Sequence, residues 1–164
     1  MITLEEISLK YKVSFVTLLK NENVSRWLLT IPFPYTLKDA EEFIKRCNEN
    51  KNSKEDYPFA IENNGIHIGG IGLHKKGEHK AEIGYWLGEE YWNKSFMTEA
   101  LNKMTDFGFN KLNLKRIYAG IFEDNIASEK LLLKCDFEYE GLLRKNLKKG
   151  NKLISEKIFA KVVD

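Results

Sequence analysis

Residues 82–100 read EIGYWLGEEYWNKSFMTEA, and in this stretch a predicted strand passes through a short turn directly into a predicted helix. The strand is indicated by β-forming residues up to Leu87, and the helix by apolar residues at three- and four-residue steps from Met97. The first turn of such a helix presents unpaired N–H groups and the positive end of the helix dipole, which together suit a pyrophosphate. We therefore expect an anion-binding corner at residues 93–98, with a simple N-cap by Ser95 as the alternative.

The sequence before this stretch predicts helices followed by antiparallel strands. Apolar residues between positions 9 and 29 indicate two short helices, and a third helix begins after Thr36, a plausible N-cap, and runs to Cys47. The pair Asn64-Gly65 lies between β-rich runs and is typical of a hairpin turn. A meander of strands therefore leads into the quoted stretch.

The sequence after it predicts one parallel crossover and a further hairpin. The helix from Met97 to Leu112 is followed by a β-rich run, Arg116 to Phe122, which predicts a βαβ unit with parallel strands. The remaining predictions are a helix at residues 125–135, a strand at 137–143, a turn at 148–151 and a final strand at 153–163. The expected fold is α+β: a mixed, mostly antiparallel twisted sheet of about seven strands, with a central βαβ unit and about four helices.

Length and composition favour one domain over residues 1–164. Lys and Arg number 26 against 24 Asp and Glu, a formal net charge of +2, so neither nucleic acid nor a membrane is expected as a partner. No apolar run approaches the ~20 residues that span a bilayer, and the early Glu5 and Glu6 do not suit a signal peptide, so we predict a cytoplasmic protein. Cys47 and Cys135 are expected to be free thiols, and no metal site is predicted because the three histidines lack a ligand pattern.

Four segments, in order, resemble the GNAT acetyltransferase superfamily and within it the Rim-type branch, the ribosomal-protein N-terminal acetyltransferases and their relatives. The segments are PYTLKDAEEFI at residues 34–44, IGYWL at 83–87, DNIAS at 124–128 and FEYEG at 137–141. The resemblance covers most of the chain and implies a single GNAT-like domain. It also implies that the fourth and fifth strands splay apart and that acetyl-CoA lies in the gap between them.

The resemblance further implies which residues bind acetyl-CoA. The family's pyrophosphate motif, Q/R-x-x-G-x-G/A, falls on residues 92–97, where Ser95 stands in place of a glycine; this departure predicts weaker binding, since other residues tolerate positive φ less well. Asn125 and Ser128 share a helix face and are expected near the pantetheine amide and the sulfur, with a plain helix cap by Asn125 as the alternative. The expected cofactor-binding residues are Trp86, Leu87, Trp92, Asn93, Lys94, Ser95, Phe96, Met97, Thr98, Asn125 and Ser128.

The implied reaction is direct transfer of the acetyl group from the thioester to an amine. Because an amine attacks only through its lone pair, a base must remove a proton, and Glu82 is the candidate, although an exposed strand glutamate fits the sequence equally well. The Leu87 N–H is expected to stabilise the tetrahedral intermediate, and Ser128 to protonate or hydrogen-bond the departing sulfur. Leu132 replaces the tyrosine that polyamine acetyltransferases of the superfamily carry in the last helix, which favours the Rim-type interpretation.

The expected acceptor is an amine-bearing peptide or small molecule, and the first choice is a protein or peptide N-terminal α-amine. Four aromatic residues are expected to form its pocket, with core packing as the alternative: Trp27, Phe33, Tyr35 and Tyr85. Two other functions stay open, acetylation of a small amine such as a polyamine, an amino acid or an antibiotic, and non-catalytic binding of acyl-CoA. A monomer or a homodimer is expected.

Overall fold

In the computed structural model, which describes all residues from Met1 to Asp164, seven strands form one sheet. They are β1 Ile2–Glu6, β2 Asp56–Asn63, β3 Ile66–Lys75, β4 Lys80–Leu87, β5 Arg116–Phe122, β6 Glu138–Lys149 and β7 Lys152–Val162. Their order across the sheet is β1-β2-β3-β4-β5-β7-β6. Every neighbouring pair is antiparallel except β4 and β5, which are parallel, so the predicted α+β fold with a central βαβ unit is confirmed.

Five α-helices cover the two faces of the sheet. They are α1 Lys12–Leu19, α2 Glu22–Ser25, α3 Leu37–Glu49, α4 Phe96–Asn110 and α5 Ile126–Lys134, with short 3₁₀ turns at Leu9–Tyr11 and Glu89–Tyr91. The two short helices predicted between residues 9 and 29 both form, and the five α-helices agree with the expected number of about four. None of the helices is long and apolar enough to cross a membrane.

The local signals that predicted α3 and the first hairpin are visible in the structure. The Thr36 hydroxyl accepts a hydrogen bond from the Asp39 N–H at 3.2 Å, and the Asp39 carboxylate accepts one from the Thr36 N–H at 2.8 Å, which forms a reciprocal capping box. Asn64 and Gly65 have φ angles of 52° and 77°. This left-handed pair is the conformation that closes a two-residue turn between β2 and β3.

One strand, β1, falls outside the sequence predictions. It has five residues, of which the last two are glutamates, and so short a pattern favours no regular element by itself. The strand forms because Ile2 pairs with Asn63 of β2 and buries its side chain completely. The Ile2 N–H also donates to the Glu99 carboxylate of α4 at 3.1 Å. Contacts with residues far along the chain therefore determine this strand.

Apolar side chains fill both faces of the sheet. On one face, α4 and α5 cover a cluster that includes Leu101, Met104 and Phe159. On the other face, α1 and α3 cover a smaller cluster that includes Phe15 and Ile44. Alternation along β4 divides its side chains between the two faces, so this strand can contribute groups to sites on both sides.

A β-bulge in β3 places His67 in the second of these clusters. Ile68 is an extra residue in the β2–β3 register, and the bulge turns the neighbouring His67 ring toward α1. The ring centroid lies 4.8 Å from that of Phe15. Its Nε2 lies 2.9 Å from the Gly69 carbonyl oxygen, and its Nδ1 lies 2.6 Å from the Ser14 hydroxyl. Burial lowers the pKa of His67 to about 4, because the charged ring is poorly solvated there.

We expect His67 to make the native state less stable as the pH falls from about 6.5 to about 4. In this window the histidine is protonated in the unfolded chain but not in the folded chain. The free energy of unfolding therefore has its full value above about pH 6.5 and is lower by about 3 kcal/mol near pH 4. His67→Gln, which does not titrate, should remove this part of the pH dependence in urea unfolding experiments. Parallel pH profiles for the wild type and the variant would contradict this assignment.

Candidate active site

The parallel strands β4 and β5 pair over a short stretch and then diverge. Pairing joins Lys80 to Glu82 of β4 with Arg116 to Tyr118 of β5, whereas both strands continue beyond these residues. A cavity of about 900 Å³ opens between the diverging ends. Its other walls are the starts of α4 and α5 and the chain between residues 24 and 29. This volume lies at the upper end of the roughly 300–1,000 Å³ that is usual for ligand pockets.

The structure brings most of the predicted site residues to this cavity. All eleven residues predicted to bind the cofactor line it, as do Glu82, Trp27 and Tyr85. Phe33 and Tyr35 do not line it. Phe33 is 55% exposed on the surface, and Tyr35 is buried in the cluster beneath α1 and α3. Tyr35 therefore packs in the core, which is the alternative that the sequence left open. Neither the Phe33 nor the Tyr35 side chain reaches the cavity.

The start of α4 has the backbone conformation of an anion cradle. Asn93 and Ser95 have positive φ angles of 59° and 62°, and Lys94 between them does not. Such alternation points successive N–H groups into one concavity, which is a recurrent anion-binding geometry. Ser95 occupies the N-cap position, but its side chain accepts no capping hydrogen bond, so the alternative of a simple Ser95 cap is wrong. The N–H groups of the first helical turn stay available to a ligand.

The edge of β4 that faces the cavity offers backbone N–H groups. The Gly88 N–H donates to the Ile68 carbonyl oxygen at 2.9 Å, in line with the β3–β4 register. Because hydrogen-bonding direction alternates along an antiparallel pair, the Trp86 N–H points toward β3. The N–H groups of Tyr85 and Leu87 point to the opposite side, which is the gap. The donors directed into the gap are therefore Tyr85 and Leu87, and not Trp86.

Two tryptophans fix this end of β4. Trp92 donates its indole N–H to the Leu87 carbonyl oxygen at 2.8 Å, which ties the turn after β4 back to the strand. The Trp86 ring packs on the α1 face of the sheet, where its centroid lies 5.7 Å from that of Phe15 and 5.8 Å from that of His67. Trp86 thus lines the cavity while its ring anchors β4 in the second core cluster.

Hydrogen bonds connect Tyr85 of β4 with the start of α5. The Asn125 side-chain oxygen accepts from the Ser128 N–H at 3.2 Å, so Asn125 caps α5, as the alternative interpretation of the sequence proposed. The Ser128 hydroxyl lies 2.5 Å from the Tyr85 hydroxyl, and either group can donate. Burial raises the pKa of Tyr85 well above its ordinary value, so the phenol keeps its proton at neutral pH.

Two glutamates line the cavity, and sequence reasoning identified one of them. Glu82 is the last residue of β4 that pairs with β5, and its carboxylate lies 3.7 Å from the Lys76 ammonium. Glu156 of β7 is buried and accepts a hydrogen bond from the Asn146 amide at 2.7 Å. A Cβ at Gly120 of β5 would overlap the Glu156 carboxyl group, so the glycine provides its space. The only sequence signal for Glu156 is this glycine, and it becomes informative only once the β5–β7 register is known.

Comparison with known proteins assigns the family. The sequence pattern of the acetyltransferase (GNAT) domain matches residues 2–138. The chain belongs to the GNAT acetyltransferase family. Its relative "Uncharacterized N-acetyltransferase YnaD" of Bacillus subtilis is 34% identical over 128 residues, which are 77% of this chain and 74% of YnaD. The chain spans about half the length of two further curated relatives that it matches at 46% identity, 45% of one and 46% of the other.

Solved structures of GNAT proteins have the same fold. The microcin C7 self-immunity acetyltransferase MccE, in complex with acetyl-CoA and AMP, superposes with a TM-score of 0.88 at 23% identity, covering 99% of this chain and 92% of MccE. Mycobacterium smegmatis RimJ, in complex with CoA-disulfide, superposes with a TM-score of 0.90 at 19% identity, covering 99% of this chain and 82% of RimJ. The GNAT fold, and structural likeness to the Rim-type proteins that the sequence resembles, are therefore confirmed.

Ser95→Gly should stabilise the protein, because glycine adopts a φ of 62° without a Cβ clash. The relief of about 1–2 kcal/mol is partly offset by the greater freedom of glycine in the unfolded chain, so we expect the free energy of unfolding to rise by about 0.5–1 kcal/mol. Urea unfolding measures the change. Ser95→Ala is the control, since it removes the hydroxyl and keeps the clash; equal stability of the two variants would argue against the left-handed conformation.

Proposed function

We propose that this protein transfers the acetyl group of acetyl-CoA to a primary amine. The observation that carries the proposal is the cavity where β4 and β5 diverge, because it joins an anion cradle to strand N–H groups that point into the gap. A ligand with a pyrophosphate and a long amide-containing arm needs this combination of groups. The acetyl-CoA bound to MccE and the CoA-disulfide bound to RimJ support the same class of ligand.

Acetyl-CoA would contact two parts of the cavity wall. The N–H groups of residues 93–98 would hold the pyrophosphate, and the gap-facing edge of β4 would pair with the pantetheine arm. Lys94 of the cradle and Lys130 and Lys134 of α5 line the same cavity. These ammonium groups can pair with the phosphates of the ligand. Three carboxylates also line the cavity and balance the charge of its wall, those of Glu82, Asp124 and Glu156.

In the proposed transfer step, the amine nitrogen forms a bond to the acetyl carbon and the bond from that carbon to sulfur breaks. The ammonium group first gives a proton to Glu82, directly or through water. The Leu87 N–H stabilises the oxyanion of the tetrahedral intermediate. The nitrogen of the intermediate then loses its remaining extra proton, and the departing thiolate gains one through Ser128 or water, so the products are a neutral amide and the CoA thiol. The Tyr85 hydroxyl, 2.5 Å from that of Ser128, orients the serine and keeps its own proton.

We propose an N-terminal α-amine of a protein or peptide as the acceptor, as in the Rim-type enzymes that the chain resembles. Leu132 of α5 is fully buried, so this helix offers no tyrosine acid of the polyamine type at that position. A non-catalytic acyl-CoA-binding domain is the second candidate. It is favoured by Ser95, which stands where the family motif has a glycine, because departures from the motif are expected where transfer chemistry has been lost.

Acetyl-CoA binding and thiol release distinguish the two candidates. Calorimetry should detect acetyl-CoA binding in either case, whereas free thiol should appear after addition of a peptide amine only if the protein is an enzyme. Binding without thiol release for any amine would favour the non-catalytic domain.

Glu82→Gln should lower kcat/KM at pH 7 by about 10²-fold or more, because a general base contributes at least that much, while the Kd of acetyl-CoA changes by less than about twofold. The pH–rate profile should lose the limb that reports the base. Glu78→Gln makes the same charge change in the exposed β3–β4 turn and serves as the matched control. An unchanged pH–rate profile for Glu82→Gln, with a large loss in Glu156→Gln, would assign the base to β7 instead.

A further inference from the structure

A second cavity of about 220 Å³ lies on the other face of β4. Its floor lacks side chains, because Gly72 of β3 pairs directly with Gly84 of β4 and both residues line it. Its walls are mostly apolar and include Phe15 and Leu19 of α1 and Ile31 of the loop before α3. The cavity is therefore shaped by two missing side chains and lined mainly by aliphatic and aromatic groups.

The two cavities meet at β4. They share five lining residues, Leu28, Leu29, Gly84, Tyr85 and Trp86. A Cβ placed on Gly84 would meet no atom within 4 Å, so the junction is open at this residue. Glu82 lies two positions earlier in β4, and its side chain is on the same face that Gly84 leaves empty. A molecule in the second cavity can thus approach, past Gly84, the gap in which we place the thioester.

The second cavity offers no free counter-charge. None of its 17 lining residues is Asp, Glu, Lys or Arg, and its titratable groups are His74 and Tyr85. Asp56 and Glu82 flank His74 across the sheet, but both have partners. Asp56 lies 2.5 Å from the His74 ring nitrogen Nδ1, and Glu82 lies 3.7 Å from Lys76. A second ammonium group on an acceptor would lose its water here without gaining an ion pair, which is costly.

We propose that the second cavity binds the part of the acceptor next to its amine, and that this part is apolar and uncharged. The inference rests on the acetyl-transfer function proposed above. The preferred acceptor is a primary amine with a single positive charge, such as an aliphatic monoamine or the α-amine of a peptide with an aliphatic first side chain. Its apolar group packs against Phe15, Leu19 and Ile31, while the nitrogen extends past Gly84 toward Glu82.

Hexylamine and 1,5-diaminopentane test the charge requirement, because both have seven heavy atoms and differ only in a terminal methyl or ammonium group. We expect kcat/KM for hexylamine to exceed that for the diamine by about tenfold or more, since the cavity leaves the second charge unpaired. From ethylamine to hexylamine, kcat/KM should rise about fourfold for each added methylene until the cavity is full, as expected from burial of apolar groups. Thiol release from acetyl-CoA is the readout.

Gly84→Val tests the location, because the new side chain enters open space at the junction of the two cavities. We expect kcat/KM to fall about tenfold for hexylamine and much less for ethylamine, since valine takes the space that the longer chain needs. Gly84→Ala should be intermediate. Both variants should fold with at least the stability of the wild type, because alanine and valine suit a strand better than glycine. The Kd of acetyl-CoA should change by less than about twofold in both variants, and calorimetry checks it.

The outcomes separate this inference from the function on which it rests. The inference is overturned if kcat/KM for 1,5-diaminopentane equals or exceeds that for hexylamine. It is also overturned if Gly84→Val lowers kcat/KM equally for every amine while the Kd of acetyl-CoA is unchanged. Either result leaves acetyl transfer itself intact. Absence of thiol release with all amines, in protein that binds acetyl-CoA, overturns the proposed transfer function and the inference with it.

Discussion

The short parallel pairing of β4 and β5 is the constraint on which the rest of the site depends. Beyond Glu82 and Tyr118 the strands separate, so N–H and C=O groups in the middle of the sheet lack the partners that a continuous ladder would provide. Such groups need water or a ligand. β4 is held through Leu87 by its pairing with β3, and β5 is held through Phe122 by its pairing with β7. The gap is therefore maintained from its two outer sides, which leaves its interior free for a bound molecule.

A lysine at the end of β6 holds the chain segment that lies over both cavities. The Lys149 ammonium donates to the carbonyl oxygens of Ser25, Arg26 and Leu28 at 2.9, 3.1 and 2.8 Å. These carbonyls lie at the end of α2 and just after it, where a cation complements the helix dipole. Leu28 lines both cavities, so the contact positions a shared wall. The β6–β7 hairpin thus helps to shape a site to which most of its residues do not belong.

Local patterns in the sequence predicted the elements of the site better than the contacts between them. The family motif requires glycine at position 95, and the positive φ of Ser95 agrees with that requirement. In contrast, Tyr35 follows a proline in an apparent loop, and its burial depends on how α1 packs against α3. Glu156 is one polar residue in a long strand, and it reaches the cavity because the β5–β7 register sets it opposite Phe122. Burial of this kind is decided by partners distant in the chain, which periodicity and motif spacing do not report.

Two helices begin at the same cavity, and the difference between them explains why a strained serine suits the cradle. Asn125 caps α5 with its own side chain, which accepts a hydrogen bond from the Ser128 N–H and so occupies a donor that is then not available to a ligand. A serine with extended backbone at position 95 would cap the N-terminus of α4 in the same way, because its hydroxyl would accept a hydrogen bond from an N–H of the first turn. In the left-handed conformation its hydroxyl makes no capping bond, and the N–H groups stay free at a cost of about 1–2 kcal/mol. The 3₁₀ turn Glu89–Tyr91 and the hydrogen bond from the Trp92 indole N–H to the Leu87 carbonyl oxygen fix the chain just before the start of α4. The strain therefore persists at the helix end that an anionic ligand would complete.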